Sequence, residues 1–233
     1  MVAKTPERGR ARTAGDVQKP KSKKGRTVSS QRWLQRQFRD PFVADAKAQG
    51  YRSRAAFKLI EIDDKFHLLR RGARVLDLGA APGGWTQVAV ERVEPQGSQG
   101  AVFAVDQIEI TPIAGAEAMV LDMNQNEAID SLPGTLGAPV DVVLSDMAPA
   151  ATGHRTTDAL RLETLAEAAL AVAQTALKPG GALVVKLMRN GHEMAFVKTV
   201  SPFFAQVKMV KPKASRADSA ELYVLATGYR GAA

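Results

Sequence analysis

The residues of this chain that could do chemistry stand where short apolar runs end. Asp106 follows Ala101–Val105, Asp122 follows Ala118–Leu121, and Asp146 follows Val140–Leu144 after Ser145. If these runs are parallel strands, all three carboxylates are delivered to the edge of a sheet where open α/β folds bind their ligands. A carboxylate after the second strand can accept both hydroxyls of a ribose, and one after the third can receive an adenine amino group. A single strand-end Asp is usually a cap or turn residue. Three in register are harder to explain that way.

The first run, Arg74–Leu78, opens into Gly79-Ala80-Ala81-Pro82-Gly83-Gly84-Trp85. Glycines there let the backbone pass close to a ligand at the start of a helix. The dinucleotide spacing G-x-G-x-x-G is absent, and Pro82 removes one of the N–H groups that a pyrophosphate needs. A nucleoside without phosphates, such as S-adenosyl-L-methionine (SAM), suits this loop better. Read alone, Gly79 and Gly83 fit a tight strand–helix turn equally well.

Lys186 is the unusual residue. It lies inside the apolar run Ala182–Leu187, where a charge is costly unless it is paired. A lysine at a sheet end can snorkel to water. A partly buried lysine beside another cation such as Lys58 can instead lose its proton near neutral pH and act as a general base. Asp146 and Glu221 would oppose that shift and hold the side chain in place.

Positioning these groups requires an alternation of strands and helices. Helical spacing is expected over about Ser53–Phe66, Trp85–Val93, Thr157–Leu177 and Glu193–Val200, with a short helix after Ser29 and Ser30. In the long helix, Leu162, Leu165, Ala169, Val172 and Ala176 step by three and four. Gln206–Val210 and Leu222–Ala226 read as two last strands, joined by a loop too short for a crossover helix, so they should pair antiparallel at one edge. The expected fold class is α/β: a Rossmann-like, mostly parallel seven-stranded sheet with one antiparallel strand near the C-terminus and helices on both faces.

Charge is unevenly distributed. Residues 1–30 carry nine Lys and Arg against Glu7 and Asp16, net +7 of the chain's +8. Residues 1–28 hold almost no large apolar side chains and read as a disordered basic tail. Residues 29–233 read as one domain. The absence of cysteine excludes a disulfide framework, a thiolate metal site and a cysteine nucleophile, and with three scattered histidines no metal is expected. No apolar run approaches the roughly 18 residues of a membrane span. Without a signal-like apolar core at the N-terminus, a cytoplasmic location is the expectation. A mitochondrial transit peptide fits less well, because Pro6, Pro20 and several glycines break any apolar face.

Five segments resemble the FtsJ/RrmJ-type RNA ribose 2′-O-methyltransferases: Arg52–Leu59 (RSRAAFKL), Asp77–Trp85 (DLGAAPGGW), Ser145–Pro149 (SDMAP), Val184–Lys186 (VVK) and Ser215–Gly228 (SRADSAELYVLATG). The likeness spans about residues 29–228 in the family's order, and the segment before Leu59 resembles its bacterial ribosomal branch. The resemblance implies a SAM-dependent methyltransferase fold, a catalytic tetrad at Lys58, Asp146, Lys186 and Glu221, and SAM contacts at Gly83, Trp85, Asp106, Asp122 and Asp146. It further implies a monomer whose substrate is the ribose 2′-OH of a uridine in the A-loop of 23S rRNA, in the assembled 50S subunit. Two departures are visible. Ala150 stands where the family commonly has Asn, and Met188-Arg189-Asn190 replaces the usual Phe-Gln-Gly. Both bear on RNA contacts and leave the tetrad intact.

A ribose hydroxyl is a poor nucleophile, so the implied reaction needs a base, and Lys186 is the candidate. Asp146 would orient it, Lys58 would steady the 2′ oxygen or a flanking phosphate, and Glu221 would fix the lysines. Three kinds of alternative remain open: ribose methylation of tRNA or of an mRNA cap, a non-catalytic rRNA-binding assembly factor, and a nicotinamide oxidoreductase. Glycine spacing disfavours the last, and a lysine kept inside a strand disfavours the second. RNA contact is expected from the tail, Arg32, Arg36, Arg52, Arg54 and Arg189. Each phosphate that a protein neutralises steepens the salt dependence of binding. Deleting residues 1–28 should therefore flatten the slope of RNA affinity against salt concentration; an unchanged slope would make the tail a bystander.

Overall fold

The structure is a computed structural model that describes residues 40–231 apart from residue 217. The expected basic tail, the helix after Ser29, and the RNA contacts at Arg32 and Arg36 lie outside the described residues. The described chain forms α1 (Pro41–Ala48), α2 (Ala56–Phe66), β1 (Arg74–Leu78), α3 (Gly84–Val93), β2 (Ala101–Asp106), β3 (Ala116–Val120), α4 (Asn126–Leu136), β4 (Val140–Ser145), α5 (Arg155–Ala176), β5 (Leu177–Met188), α6 (Glu193–Val200), β6 (Phe204–Val210) and β7 (Glu221–Tyr229). The seven strands make one sheet in the order β3-β2-β1-β4-β5-β7-β6. Pairing from β3 through β5 is parallel, and β7 runs antiparallel to both β5 and β6. No helix among the described residues is long and apolar enough to cross a membrane.

The buried residues explain the layers. On β1, Leu76 and Leu78 face the cluster built by α4, α5 and α6, and Val75 faces the cluster of α2 and α3. Such two-sided burial is what makes the central strands continuous apolar runs. The expected hairpin of the last two strands forms at the sheet edge, with β7 inserted between β5 and β6. In β5 the pairing with β4 slips from Val140–Leu177 to Val142–Ala182, so Lys178-Pro179-Gly180-Gly181 loops out of register. The turn signal in those residues is therefore real, although the strand begins before it.

Three details differ from the sequence expectation. The third strand spans Ala116–Val120 rather than 118–121; it is an edge strand with exposed positions, so no continuous apolar run marks its ends. Helix α4 was not expected, because Pro133 and Gly134 lie within it. Its signal was Ala128, Leu132 and Leu136, buried at four-residue intervals. Helix α1 was also missed. Its start is an Asp-Pro pair, with Pro41 in the first turn and the Asp40 carboxylate accepting the Phe42 N–H at 3.2 Å, a recognisable N-terminal signature.

Strand β1 buries a charge-forming group in the core. Asp77 in β1 is 1% exposed. Its Oδ2 accepts the Thr86 hydroxyl at 2.7 Å, and its Oδ1 has no partner among the described residues. Burial pushes the carboxyl up to about 7, against the pull of the Thr86 hydrogen bond and with help from the nearby Asp146 and Asp106 carboxylates. The folded state then keeps a proton that the unfolded chain has already lost. Stability should fall as pH rises from about 4 to about 7, by up to ~1.4 kcal/mol per pH unit, and the penalty should be complete above that window. Asp77→Asn keeps the shape and cannot ionise. In denaturant titrations it should be more stable than the wild type at pH 8, with the gap closing towards pH 4. A gap independent of pH would refute this account.

Candidate active site

The antiparallel course of β7 decides which side chains meet. Its register sets Tyr223 opposite Lys186 and Glu221 opposite Met188. Glu221 and Tyr223, two residues apart, share one face of the strand, the face on which Lys186 stands. The next residue after β4, Asp146, emerges beside Lys186 because Ser145 pairs with Val185. From above that face, α2 packs Leu59 and Ile62 into the core and lowers Lys58 onto the same point.

The contacts there are close. Lys58 Nζ lies 2.5 Å from Glu221 Oε1 and donates to the Tyr223 hydroxyl at 3.2 Å. Lys186 Nζ donates to the Asp146 backbone carbonyl at 2.6 Å and lies 3.0 Å from Asp146 Oδ1. The Tyr223 hydroxyl is 2.8 Å from Asp146 Oδ1 and 3.1 Å from Glu221 Oε1. It has one proton, so it can donate to only one of them at a time. Ser215 donates to Glu221 at 3.0 Å. Lys58, Asp146, Lys186 and Glu221, the four residues the resemblance joins in a tetrad, thus form one neutral cluster of two cations and two anions.

Tyr223 was not singled out in the sequence, although its spacing two after Glu221 on one strand would have indicated it. The residue is fully buried, its ring lies 5.6 Å from that of Trp85, and its hydroxyl reaches three of the four charged groups. Burial and the adjacent Asp146 and Glu221 push its hydroxyl well above the ordinary tyrosine range, so it remains a proton donor. Burial also works to raise Asp146, but Lys186 and Lys58 outweigh it and hold the carboxyl below its ordinary value. Asp146 is therefore a carboxylate at neutral pH.

A cavity of about 550 Å³ adjoins this cluster, within the size range of small-molecule sites. Gly79, Asp106, Asp122, Met147 and Leu165 are among its walls, and Asp146 belongs both to the cavity and to the charged cluster. The strand-end carboxylates thus converge as expected. Asp106 accepts the backbone N–H groups of Ala81 at 2.9 Å and Ile108 at 3.0 Å. Asp122 accepts the Asn124 backbone and side-chain N–H groups, which hold it below the ordinary carboxylate value. Each oxygen keeps lone-pair capacity for a ligand hydroxyl or amine. Gly79, at φ +74°, passes so close to Met147 that a Cβ would sit 2.7 Å from its Cα. Here the glycine serves loop packing as well as ligand approach.

The other two expected ligand contacts lie behind this wall. Gly83, at φ +114°, is the N-cap of α3, and a Cβ on it would meet Ile113 and Arg52. Trp85 is 3% exposed, and its indole N–H donates to the Ala55 carbonyl at 2.8 Å. It braces the segment that leads into Lys58. Helix α3 has no side-chain cap among the described residues, and its first three residues, Gly84, Trp85 and Thr86, are buried.

Two expected RNA contacts are corrected by the structure. The Arg52 guanidinium is committed to three backbone carbonyls. Arg54 pairs with Asp40 and donates to the Ala214 carbonyl. Both are engaged by loop packing, because the segment before α2 runs beside loops that present carbonyls to them. Neither is free to follow a phosphate backbone. Arg189 stays exposed at the end of β5.

Comparison with known proteins agrees with this geometry. The model of the FtsJ-like methyltransferase family matches residues 51–229. The chain is 52% identical to the ribosomal RNA large subunit methyltransferase E of Xanthobacter autotrophicus, over 91% of this chain and 84% of that one. It is 54% identical to the protein of the same name from Acidiphilium cryptum, over 87% and 88%. A solved ribosomal RNA methyltransferase structure from Plasmodium falciparum superposes with a TM-score of 0.70 at 26% identity, covering 78% of this chain and all of that one. With the family's model matching residues 51–229 and relatives about half identical over most of both chains, the chain belongs to the FtsJ-like methyltransferases.

Proposed function

We propose that this protein transfers a methyl group from SAM to the ribose 2′-OH of a uridine in the A-loop of 23S rRNA, on the assembled 50S subunit, and so supports ribosome maturation in the cytoplasm. The observation that carries the reading is the convergence of Lys58, Asp146, Lys186 and Glu221 beside a nucleoside-sized cavity, with Asp146 shared by both. The rRNA substrate is supported by the names of relatives that match about nine-tenths of the chain at about half identity.

The residues fit SAM. Asp106 offers acceptors to ribose hydroxyls, Asp122 to an adenine amino group, and Leu165 and Met147 supply apolar walls. Gly83 and Trp85 lie behind the cavity wall, and Trp85 braces the segment that leads into Lys58. When bound, SAM supplies an electrophilic sulfonium methyl. The protein's own task is to aim the hydroxyl and remove its proton. In the deprotonated form that a base requires, Lys186 can give its two N–H hydrogens to the Asp146 carbonyl and carboxylate, 2.6 and 3.0 Å away. Its lone pair is then left for the 2′-hydroxyl proton. Lys58, fixed by Glu221 and Tyr223, places a positive charge where the 2′ oxygen or a neighbouring phosphate would sit. Such positioning of groups before reaction accounts for much of an in-line displacement's acceleration.

Lys186→Ala removes the base and should lower methyl transfer by roughly 10²–10⁴-fold, while SAM affinity measured by calorimetry stays within a few-fold. Normal turnover in that variant would reject Lys186 as the base. Substrate identity is tested with labelled SAM and, separately, 50S subunits lacking the modification, naked 23S rRNA, and tRNA. Label in the A-loop uridine of 50S subunits is the expected result. Label in tRNA alone would move the protein to a different substrate class.

A further inference from the structure

Arg52 has no place in the reaction described above, yet it makes the densest set of loop contacts beside the cavity. Its Nη1 donates to the carbonyls of Pro82 at 3.2 Å and Thr111 at 2.5 Å, and its Nη2 donates to that of Pro112 at 2.8 Å. Pro82 belongs to the glycine-rich loop between β1 and α3. Thr111 and Pro112 belong to the loop between β2 and β3. Both loops line the cavity, with Gly79 and Ala81 from the first and Gln107 and Ile108 from the second. Arg52 therefore bridges the two from outside the cavity.

Its own backbone is fixed in turn. The Arg52 N–H donates to Gln87 Oε1 at 2.8 Å, and Gln87 Nε2 donates to the Gly50 carbonyl at 3.0 Å. The loops close tightly around the side chain. A Cβ placed on Gly83 would lie 3.1 Å from Arg52 Nη1, 3.2 Å from its Cδ and 2.6 Å from Ile113 Cδ1. Among the described residues Arg52 makes no salt bridge, so its donors are spent on carbonyls. The planar guanidinium spreads its donors over two nitrogens and so spans both loops, whereas an ammonium offers its three donors from one point.

We infer that Arg52 is a positioning residue for the SAM half of the site: it holds the rim formed by the two loops and sets affinity for the methyl donor, not for RNA. The inference rests on the proposed SAM dependence. It is tested with Arg52→Gln and Arg52→Lys in the full chain, using calorimetric SAM titration, steady-state kinetics and hydrogen exchange over residues 107–115. The expected result is a tenfold or greater rise in the Kd and KM for SAM in Arg52→Gln, partly recovered in Arg52→Lys. The kcat at saturating SAM and the KM for rRNA should stay within about twofold, and exchange over 107–115 should accelerate. An unchanged SAM affinity with weakened RNA binding would overturn the inference in favour of a phosphate contact. A kcat loss that saturating SAM does not repair would overturn it in favour of a part in the reaction. If Arg52→Gln does not fold, Arg52→Lys carries the same comparison. If the wild type itself binds no SAM, the proposed function fails instead, and unaltered exchange over 107–115 in the variants would separately reject the loop tie.

Discussion

Two lysines and two carboxylates are drawn together at one end of a sheet, and they tolerate partial burial only because they neutralise one another. Lys58 against Glu221 and Lys186 against Asp146 give two short pairs, and the Tyr223 hydroxyl joins them. Removing one member of such a set leaves its partner's charge uncompensated, at a cost of about 3–5 kcal/mol for a buried pair. The cluster is thus a structural commitment as well as a chemical one. It ties α2 to β4, β5 and β7 across the top of the domain.

That commitment explains why the late strands run as they do. A reversed strand beside β5 starts at the end of the sheet where its parallel neighbours finish, so Glu221 and Tyr223 arrive next to Lys186. Had β7 run parallel, its first residues would lie at the far end, and the two lysines would share one carboxylate. Tyr223 fills the centre with an apolar ring against Trp85 and presents a hydroxyl to the charges. Its proton is retained because burial and both carboxylates disfavour a phenolate.

The segment before α2 serves the same economy of donors and acceptors. Arg52 faces the loops of the cavity and Arg54 faces Asp40 and the loop that carries Ser215 towards Glu221. Glu61, one turn after Lys58, accepts the backbone N–H groups of Lys213 and Ala214. Arginines that look like phosphate contacts in one dimension are here the donors that loop carbonyls require.

The order of strands and helices was legible in the sequence because two-sided burial writes strands as apolar runs and one-sided burial writes helices as steps of three and four. Asp106, Asp122, Asp146 and Lys186 were legible for a related reason: each is a charge at or within an apolar run, where charge needs a purpose. Helix α4 was hidden by Pro133 and Gly134, local signals that packing of Ala128, Leu132 and Leu136 overrides. What the residues could not state by themselves was partnership. Tyr223 reads as one more aromatic in a strand, and Arg52 and Arg54 as surface cations, until the fold brings together groups far apart in the chain, as with Lys58 and Tyr223 at 165 positions. Local sequence determined the elements because periodicity and burial are local properties. Only the tertiary structure decided who neutralises whom, because hydrogen bonds and charge pairs depend on distances that chain order does not contain.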